Sequence, residues 1–454
     1  NILSIDKIIS EISSFVWGFP LLIILIGGGL YLLIISRFIP FKYFFHAIDI
    51  IRGKFDDKKS DGEISHFQAL TTALSATVGM GNIAGVAVAI SIGGPGAIFW
   101  MWISGLIGMS TKFFTSALAV MYRGVDSAGN KQGGPMYFIV NGLGKKWLPM
   151  AIFFSFCGMV GALPVFNVNQ LTQAINDIIL RPNGVEVGLF SNTIIGLSLI
   201  ILTSIVILGG LKRISRVSAK LVPFMVGVYI ISVLIILIIN YDKLPEYVFL
   251  IFYDAFNADY YSGNSALGGV LGALIILGIR RGAFSNEAGI GMAPMAHGAA
   301  KTNNPIKEGF VAMLGPFIDT ILVCTMTALA ILVTGAWKSQ ADGVTLTANA
   351  FESTFSELGN YILLACVFVF SISSLFSYSY YGTKCLSFLA GDHNKKKYNY
   401  IYIISIMLGA TTSLSMMINL IDTFFALMAI PTMIGTLILA PKVLKQLNKY
   451  KING

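Results

Sequence analysis

Charge is scarce in this chain. Asp, Glu, Lys and Arg make up only 12% of its 454 residues, about half the ~25% of an ordinary soluble domain. That shortage excludes a soluble globular fold. Cysteine is scarcer still: Cys157, Cys324, Cys366 and Cys385 are scattered through or near apolar runs and have no metal-ligand spacing. The four histidines are equally dispersed. No Ser/His/Asp set, phosphate-cradling glycine loop or zinc motif is present, so enzymatic chemistry has no candidate constellation. The net charge of +9 is spread along connections between apolar runs and does not suggest nucleic acid.

Apolar residues are what the chain has in abundance: 55% of the total, with a mean hydropathy of +0.77. Runs of roughly 20 apolar residues recur along the whole length, as a polytopic membrane protein requires. The spacing predicts an all-α membrane domain over 1–454, with eleven spans near 17–36, 66–92, 97–121, 148–178, 191–210, 218–240, 266–297, 309–334, 357–388, 399–418 and 421–440. The first run follows mixed residues and lacks a small-residue cleavage site, so a mature helix is expected there rather than a signal peptide.

The basic residues set an orientation. Of 31 Lys and Arg, 24 fall in the alternate connections 37–65, 122–147, 211–220, 298–308, 384–398 and 441–454. Four (Lys7, Arg181, Lys243 and Lys338) fall in the other set, and Lys112, Arg280 and Arg281 lie within spans. By the positive-inside rule the first set is cytoplasmic, which places the N-terminus outside and the C-terminus in the cytoplasm of a plasma-membrane protein. The polar segment 266–297 must then cross, because otherwise the basic connections after it would face outward.

Two spans are broken. The stretch 67–92 is long enough to cross a bilayer, yet its centre reads Ser75-Ala76-Thr77-Val78-Gly79-Met80-Gly81-Asn82. Glycine is a poor helix former, and hydrocarbon tolerates unpaired backbone only where it lines a protein-enclosed cavity. In 266–297 an apolar half leads into RRGAFSNEAGIG. The two breaks open five-helix units, 66–240 and 266–440, that start on opposite sides of the membrane. This is the inverted-repeat layout, with 17–36 as one extra N-terminal helix. Half-helix N-termini bind carboxylates, while unwound carbonyls hold cations. The glycines alone would equally suit close helix packing.

The strings Gly93-Gly94-Pro95-Gly96-Ala97-Ile98-Phe99-Trp100-Met101-Trp102, Gly133-Gly134-Pro135-Met136-Tyr137 and Ser285-Asn286-Glu287-Ala288-Gly289 resemble signatures of the alanine or glycine:cation symporter (sodium:alanine symporter) family. That resemblance implies a fold similar to the bacterial leucine transporter, with an extra helix before a ten-helix core. Thr115 departs from it, standing where many relatives carry Glu; Lys112 then lacks an i,i+3 partner and is expected to snorkel toward the cytoplasm.

Carried over position by position, the resemblance implies that N–H groups around Gly79, Met80 and Gly81 hold a substrate carboxylate. Thr77 and Asn82 match oxygen donors of one ion site beside the substrate, and Ser285 and Asn286 join the binding set from the second break. A more widely shared Na⁺ site would use the carbonyls of Ser75, Val78 and Phe370 with the hydroxyls of Ser373 and Ser374, hard oxygen donors suited to a hard cation. Hydroxyls in a membrane helix otherwise bond back to the preceding turn. In the fourth span Asn167 and Gln170 share a face at i,i+3; Gln170 is the expected substrate contact, the alternative being interhelical glue. Met80, Phe166, Phe284 and Trp100 are expected to wall the pocket, with Phe166 counted as substrate-binding. Arg280, Arg281 and Glu287 are expected to form a structural or gating ion pair across the second break, direct contact with the substrate being the alternative. Asp177, Asp319 and Asp422 receive no assignment.

The expected function is Na⁺-coupled import of a small neutral amino acid, L-alanine or glycine, with D-alanine left open, by a protein surrounded by lipid for which a monomer suffices. Proton coupling is the rival within the same fold, and Glu287 is the acid near the site that it would use. An ion channel is the alternative from another class, although no ring of symmetric pore loops is evident. An amino-acid sensor would be expected to carry an appended soluble domain, and none is visible.

Overall fold

The computed structural model describes residues 2–55, 60–257, 267–341, 343–412 and 415–450. They are helical apart from connections and one two-stranded hairpin, β1 (Gly124–Val125) with β2 (Lys131–Gln132). Eight helices are long and apolar enough to cross a membrane: α1 (Lys7–Ile35), α4 (Ala97–Met121), α5 (Lys145–Leu180), α6 (Leu189–Ile207), α7 (Gly210–Ile239), α10 (Pro305–Val333), α11 (Glu357–Ala390) and α13 (Asn419–Lys449). A pair bent by 57°, α2 (His66–Thr77) and α3 (Gly81–Gly93), adds a ninth. Two further segments occupy the remaining expected positions. One is α8 (Leu267–Asn286), followed after a break by α9 (Ala293–His297). The other is α12 (Lys395–Thr411); the expected end of that span covers residues 413 and 414, which lie outside the described residues.

The apolar surplus divides between two surfaces. On α6, Ile194, Leu197, Ile201, Ile205 and Leu208 are exposed at helical spacing, as are Ile231, Ile235 and Ile238 on α7; this stripe faces lipid. By contrast, α4 is 89% buried along its apolar window. It packs along α8 and α10 through small residues: a Cβ on Gly108 would stand 3.0 Å from that of Ala288, and one on Gly309 would meet Phe113 at 2.8 Å. Such residues let membrane helices approach where no hydrophobic force separates helix from lipid.

The basic connections gather at one end. Ile64 bridges Ala300, and Glu63 donates to Ala299 O at 2.8 Å. Arg123 donates to Gly298 O at 2.7 Å, Asp392 N to Ser127 Oγ at 2.7 Å, and His46 meets the Tyr450 hydroxyl at 2.7 Å. Leu211 packs on Ile64 and Ala299. A different set of loops meets elsewhere: Gly96 donates to Asp254 at 2.7 Å, and the Trp100 indole to Ala255 O at 3.1 Å.

Candidate functional site

The first break is built from local chemistry. Ser65 starts α2 with a capping box, its hydroxyl taking the Gln68 N–H while the Gln68 side chain takes the Ser65 N–H. Val78 then leaves the helix (ψ 100°). Gly79 cannot continue the ladder, because its N–H goes to Asn82 Oδ1 at 2.8 Å. A Cβ on Gly79 would approach Ser374 Oγ to 3.2 Å, so a bare backbone is needed there. The last carbonyls of α2 are therefore left without helical partners.

The second break is narrower than its composition suggests. Arg280 and Arg281 remain helical, and α8 runs to Asn286. The chain turns only at Glu287 (φ 53°), Gly289 (φ 89°) and Gly291 (φ 107°). Any Cβ on Gly291 would strike Thr432 Oγ1 at 2.5 Å. The Asn286 side chain accepts from Ala288 N at 3.0 Å, so its role is to hold this turn.

Between the breaks lies a cavity with about 60 Å³ of free volume, roughly four to six water-sized groups. Thr77, Gly79, Met80 and Gly81 line it from the first break, Phe284 and Glu287 from the second, and Ser374 and Tyr378 from α11. Leu163, Phe166 and Asn167 line it from α5, and Ile421, Asp422 and Phe425 from α13. Trp17 stacks on Phe425 at 6.4 Å and tilts against Phe284 at 5.5 Å. Of the expected aromatic wall, Met80, Phe166 and Phe284 are present, whereas Trp100 is occupied elsewhere by Ala255. Gln170 does not reach this cavity. It lines a separate one with Asp177 and Glu352, because one further turn along α5 carries it past the end of the site.

Asn82 and Ser285 stand behind the cavity, in a buried polar cluster. Asn82 Nδ2 donates to Asp319 Oδ1 at 2.6 Å and to Ser285 Oγ at 3.1 Å, and Ser285 donates to Asp319 Oδ2 at 2.8 Å. Asp319 sits in a π-helical stretch of α10, Phe317–Cys324, directly after Pro316. Such widened turns are frequent at functional sites.

A second cluster is rich in oxygen and poor in protons. Ser373 Oγ lies 3.2 Å from Ser75 O and 2.8 Å from Phe370 O. Ser374 Oγ lies 3.3 Å from Ala76 O and 3.1 Å from Phe370 O. Two hydroxyl protons cannot serve all these acceptors, and such an excess suits a hard cation. Ala76 stands where Val78 was expected beside Ser374, while the Val78 N–H closes the last turn of α2 on Leu74 O at 2.8 Å.

Glu287 and Lys112 differ from expectation. Glu287 makes no ion pair with Arg280 or Arg281 among the described residues; its Oε1 accepts from the Tyr378 hydroxyl. The charge facing both arginines is Asp422. Lys112 does not snorkel: it is 2% exposed, facing Glu287 and Asp319. At the basic end Glu308 is buried between His297 (2.5 Å) and His66, joining α2, α9 and α10.

Comparison with known proteins agrees with this architecture. The model of the sodium:alanine symporter family matches residues 2–453. The sodium/alanine symporter AgcS of Methanococcus maripaludis is 39% identical over 98% of this chain and 97% of its own length. An uncharacterized transporter of Haemophilus influenzae is 39% identical over 99% and 96%. Among solved structures, MhsT in complex with L-phenylalanine superposes with a TM-score of 0.59 at 13% identity, covering 82% of this chain and 89% of that one.

Proposed function

The chain belongs to the sodium:alanine symporter family, and from that premise we propose that it is a Na⁺-coupled symporter importing small neutral amino acids, alanine and glycine, by alternating access. The observation that carries this reading is the junction of the two clusters. The α2 carbonyls facing Ser373 and Ser374 continue directly into Gly79–Gly81 at the cavity wall. A cation there orders the backbone whose N–H groups receive a carboxylate. Ion and substrate affinities are then coupled, and the coupling is reciprocal. The small free volume, walled by Met80, Phe166, Phe284 and Phe425, supports a small side chain.

In this reading Ser75, Phe370, Ser373 and Ser374 hold Na⁺, with the nearby Ala76 carbonyl taking the part first given to Val78. Met80, Gly81, Thr77 and Phe166 surround the substrate, and Asn167 replaces Gln170 as the amide contact from α5. The bent α8–α9 pair and α12 complete eleven crossings, with 66–240 and 266–440 as inverted repeats after one extra helix. The meeting of 37–65, 122–147 and 298–308 at the basic end supports a crossing by α8 and α9, with that end cytoplasmic.

The deciding experiment is uptake of labelled alanine into proteoliposomes under Na⁺, Li⁺ and K⁺ gradients, with glycine and D-alanine as competitors. Concentrative, saturable uptake driven by Na⁺ is expected. The buried carboxylates of Glu287 and Asp319 favour a second reading, proton coupling, which predicts uptake driven by a pH gradient without Na⁺.

A further inference from the structure

Glu287 combines three features that the architecture alone does not require. It is 4% exposed, it holds a left-handed backbone (φ 53°) without being glycine, and its Oε2 has no hydrogen-bond partner among the described residues. Non-glycine residues in that region are strained and cluster at ligand sites. A buried charged oxygen left unpaired is costlier still. The residue lines the central cavity.

The surroundings say what would complete it. The charged groups facing Glu287 are Lys112 and Asp319, one of each sign, so they leave its own charge unbalanced. The other acid in the cavity, Asp422, already faces Arg280 and Arg281. A divalent metal ion would need several hard oxygens around it, and no group of three or more acids, His or Cys able to hold one occurs among the described residues. A small cationic hydrogen-bond donor fits: a primary ammonium.

Resting on the amino-acid reading above, we propose that the Glu287 carboxylate receives the substrate's ammonium group through Oε2, and that Tyr378 is the positioning residue holding Oε1. Tyr378 lies one helical turn beyond Ser374, on the same face of α11. The group that aims the ammonium acceptor and the group that faces the cation cluster therefore ride on one rigid element, and Met80 and Gly81 of the first break, which line the same cavity, are left to receive the carboxylate. Recognition of both ends of a zwitterion follows, with specificity for a free α-amine.

The test is equilibrium binding of labelled L-alanine, and separately of radiolabelled sodium without alanine, to the purified full chain in detergent. Glu287→Gln should raise the alanine Kd by about 10- to 150-fold, the range of a charge-assisted hydrogen bond, and leave sodium binding at the wild-type level. L-Lactate, with a hydroxyl in place of the ammonium, should compete poorly in wild type, and the gap between alanine and lactate should narrow in the variant. A merely structural role would not move that gap. An unchanged alanine Kd in E287Q overturns the proposal, as does loss of sodium binding in step with alanine, which would assign Glu287 to the ion. If E287Q does not fold, Tyr378→Phe decides: several-fold weaker alanine binding and a narrowed gap support the proposal, and an unchanged Kd and gap overturn it. A wild-type protein that binds no alanine sinks the amino-acid reading itself, a result distinct from a silent variant.

Discussion

Ser373 and Ser374 are two serines in a helix that offers them ordinary partners. Each can donate back to Phe370 O, at 2.8 and 3.1 Å, as hydroxyls in membrane helices do. What sets them apart is the end of α2, whose Ser75 and Ala76 carbonyls lack helical donors and stand 3.2 and 3.3 Å from the same hydroxyls. Removing either hydroxyl deletes one oxygen ligand without opening much space. Ser373→Ala and Ser374→Ala should each raise the Na⁺ concentration for half-maximal alanine uptake roughly tenfold, a change of ~1.4 kcal/mol. Ser371→Ala, whose buried hydroxyl has no partner among the described residues, should leave it where it was. Wild-type Na⁺ dependence in both variants would remove the ion from this site. The pair was expected only through the resemblance and the neighbouring break, because two serines three and four residues after a carbonyl would by themselves as readily bond back to the preceding turn. Asp319 was not, because a single acid in an apolar run carries no local signal, and its partners Asn82 and Ser285 are distant in sequence. Gln170 shows the converse: sharing a face with Asn167 fixes direction but not depth, and the cavity ends before it.

At the scale of elements, the basic end is held shut by backbone acceptors more than by ion pairs. Arg123 donates to Gly298 O (2.7 Å), Thr302 O (2.8 Å), Ala300 O and Asp61 O (3.3 Å). It thereby ties the start of α2 to the chain after α9. Lys131 and Asp61 also pair across this surface, but their side chains are 52% and 48% exposed, and solvent screens such pairs. Hydrogen bonds from a charged donor are worth about 1.5–3 kcal/mol. Hydrogen exchange over residues 293–302 should therefore quicken by about 10- to 100-fold in Arg123→Ala and hardly change in Lys131→Ala. The hydrogen bond from Lys131 holds the Asp61 carboxyl below the usual carboxylate range. A depressed value of this kind gives a contribution that is full above the unfolded carboxylate value and lost as pH falls through the folded one. Whatever small effect Lys131→Ala has on exchange should accordingly be present in full at neutral pH and vanish in acid. Equal effects of the two variants near neutrality would contradict this ranking. None of this latch was legible beforehand: arginine density marks a side of the membrane, whereas carbonyl partners are chosen by tertiary packing.

The scale of the whole molecule turns on whether α8 and α9 together cross. Hydropathy is weakest there, with Arg280, Arg281, Ser285, Asn286 and Glu287 in one segment. Charge bias and geometry argue for crossing from independent grounds. The connections 37–65, 122–147 and 298–308 touch through Ile64–Ala300 and Arg123–Gly298, while 122–147 reaches 384–398 through Ser127 and Asp392. A segment that failed to cross would place 384–398 on the opposite side from 122–147 and tear that contact apart. The four native cysteines are buried, so cysteines introduced singly at exposed positions report cleanly. In intact cells a membrane-impermeant maleimide should label Asn183→Cys, and should label Lys145→Cys and Lys396→Cys only after permeabilisation. Labelling at 396 but not at 145 in intact cells would mean that the α8–α9 segment is re-entrant. The two broken helices could not then enter from opposite faces, and the inverted-repeat reading would fall while the family assignment stood.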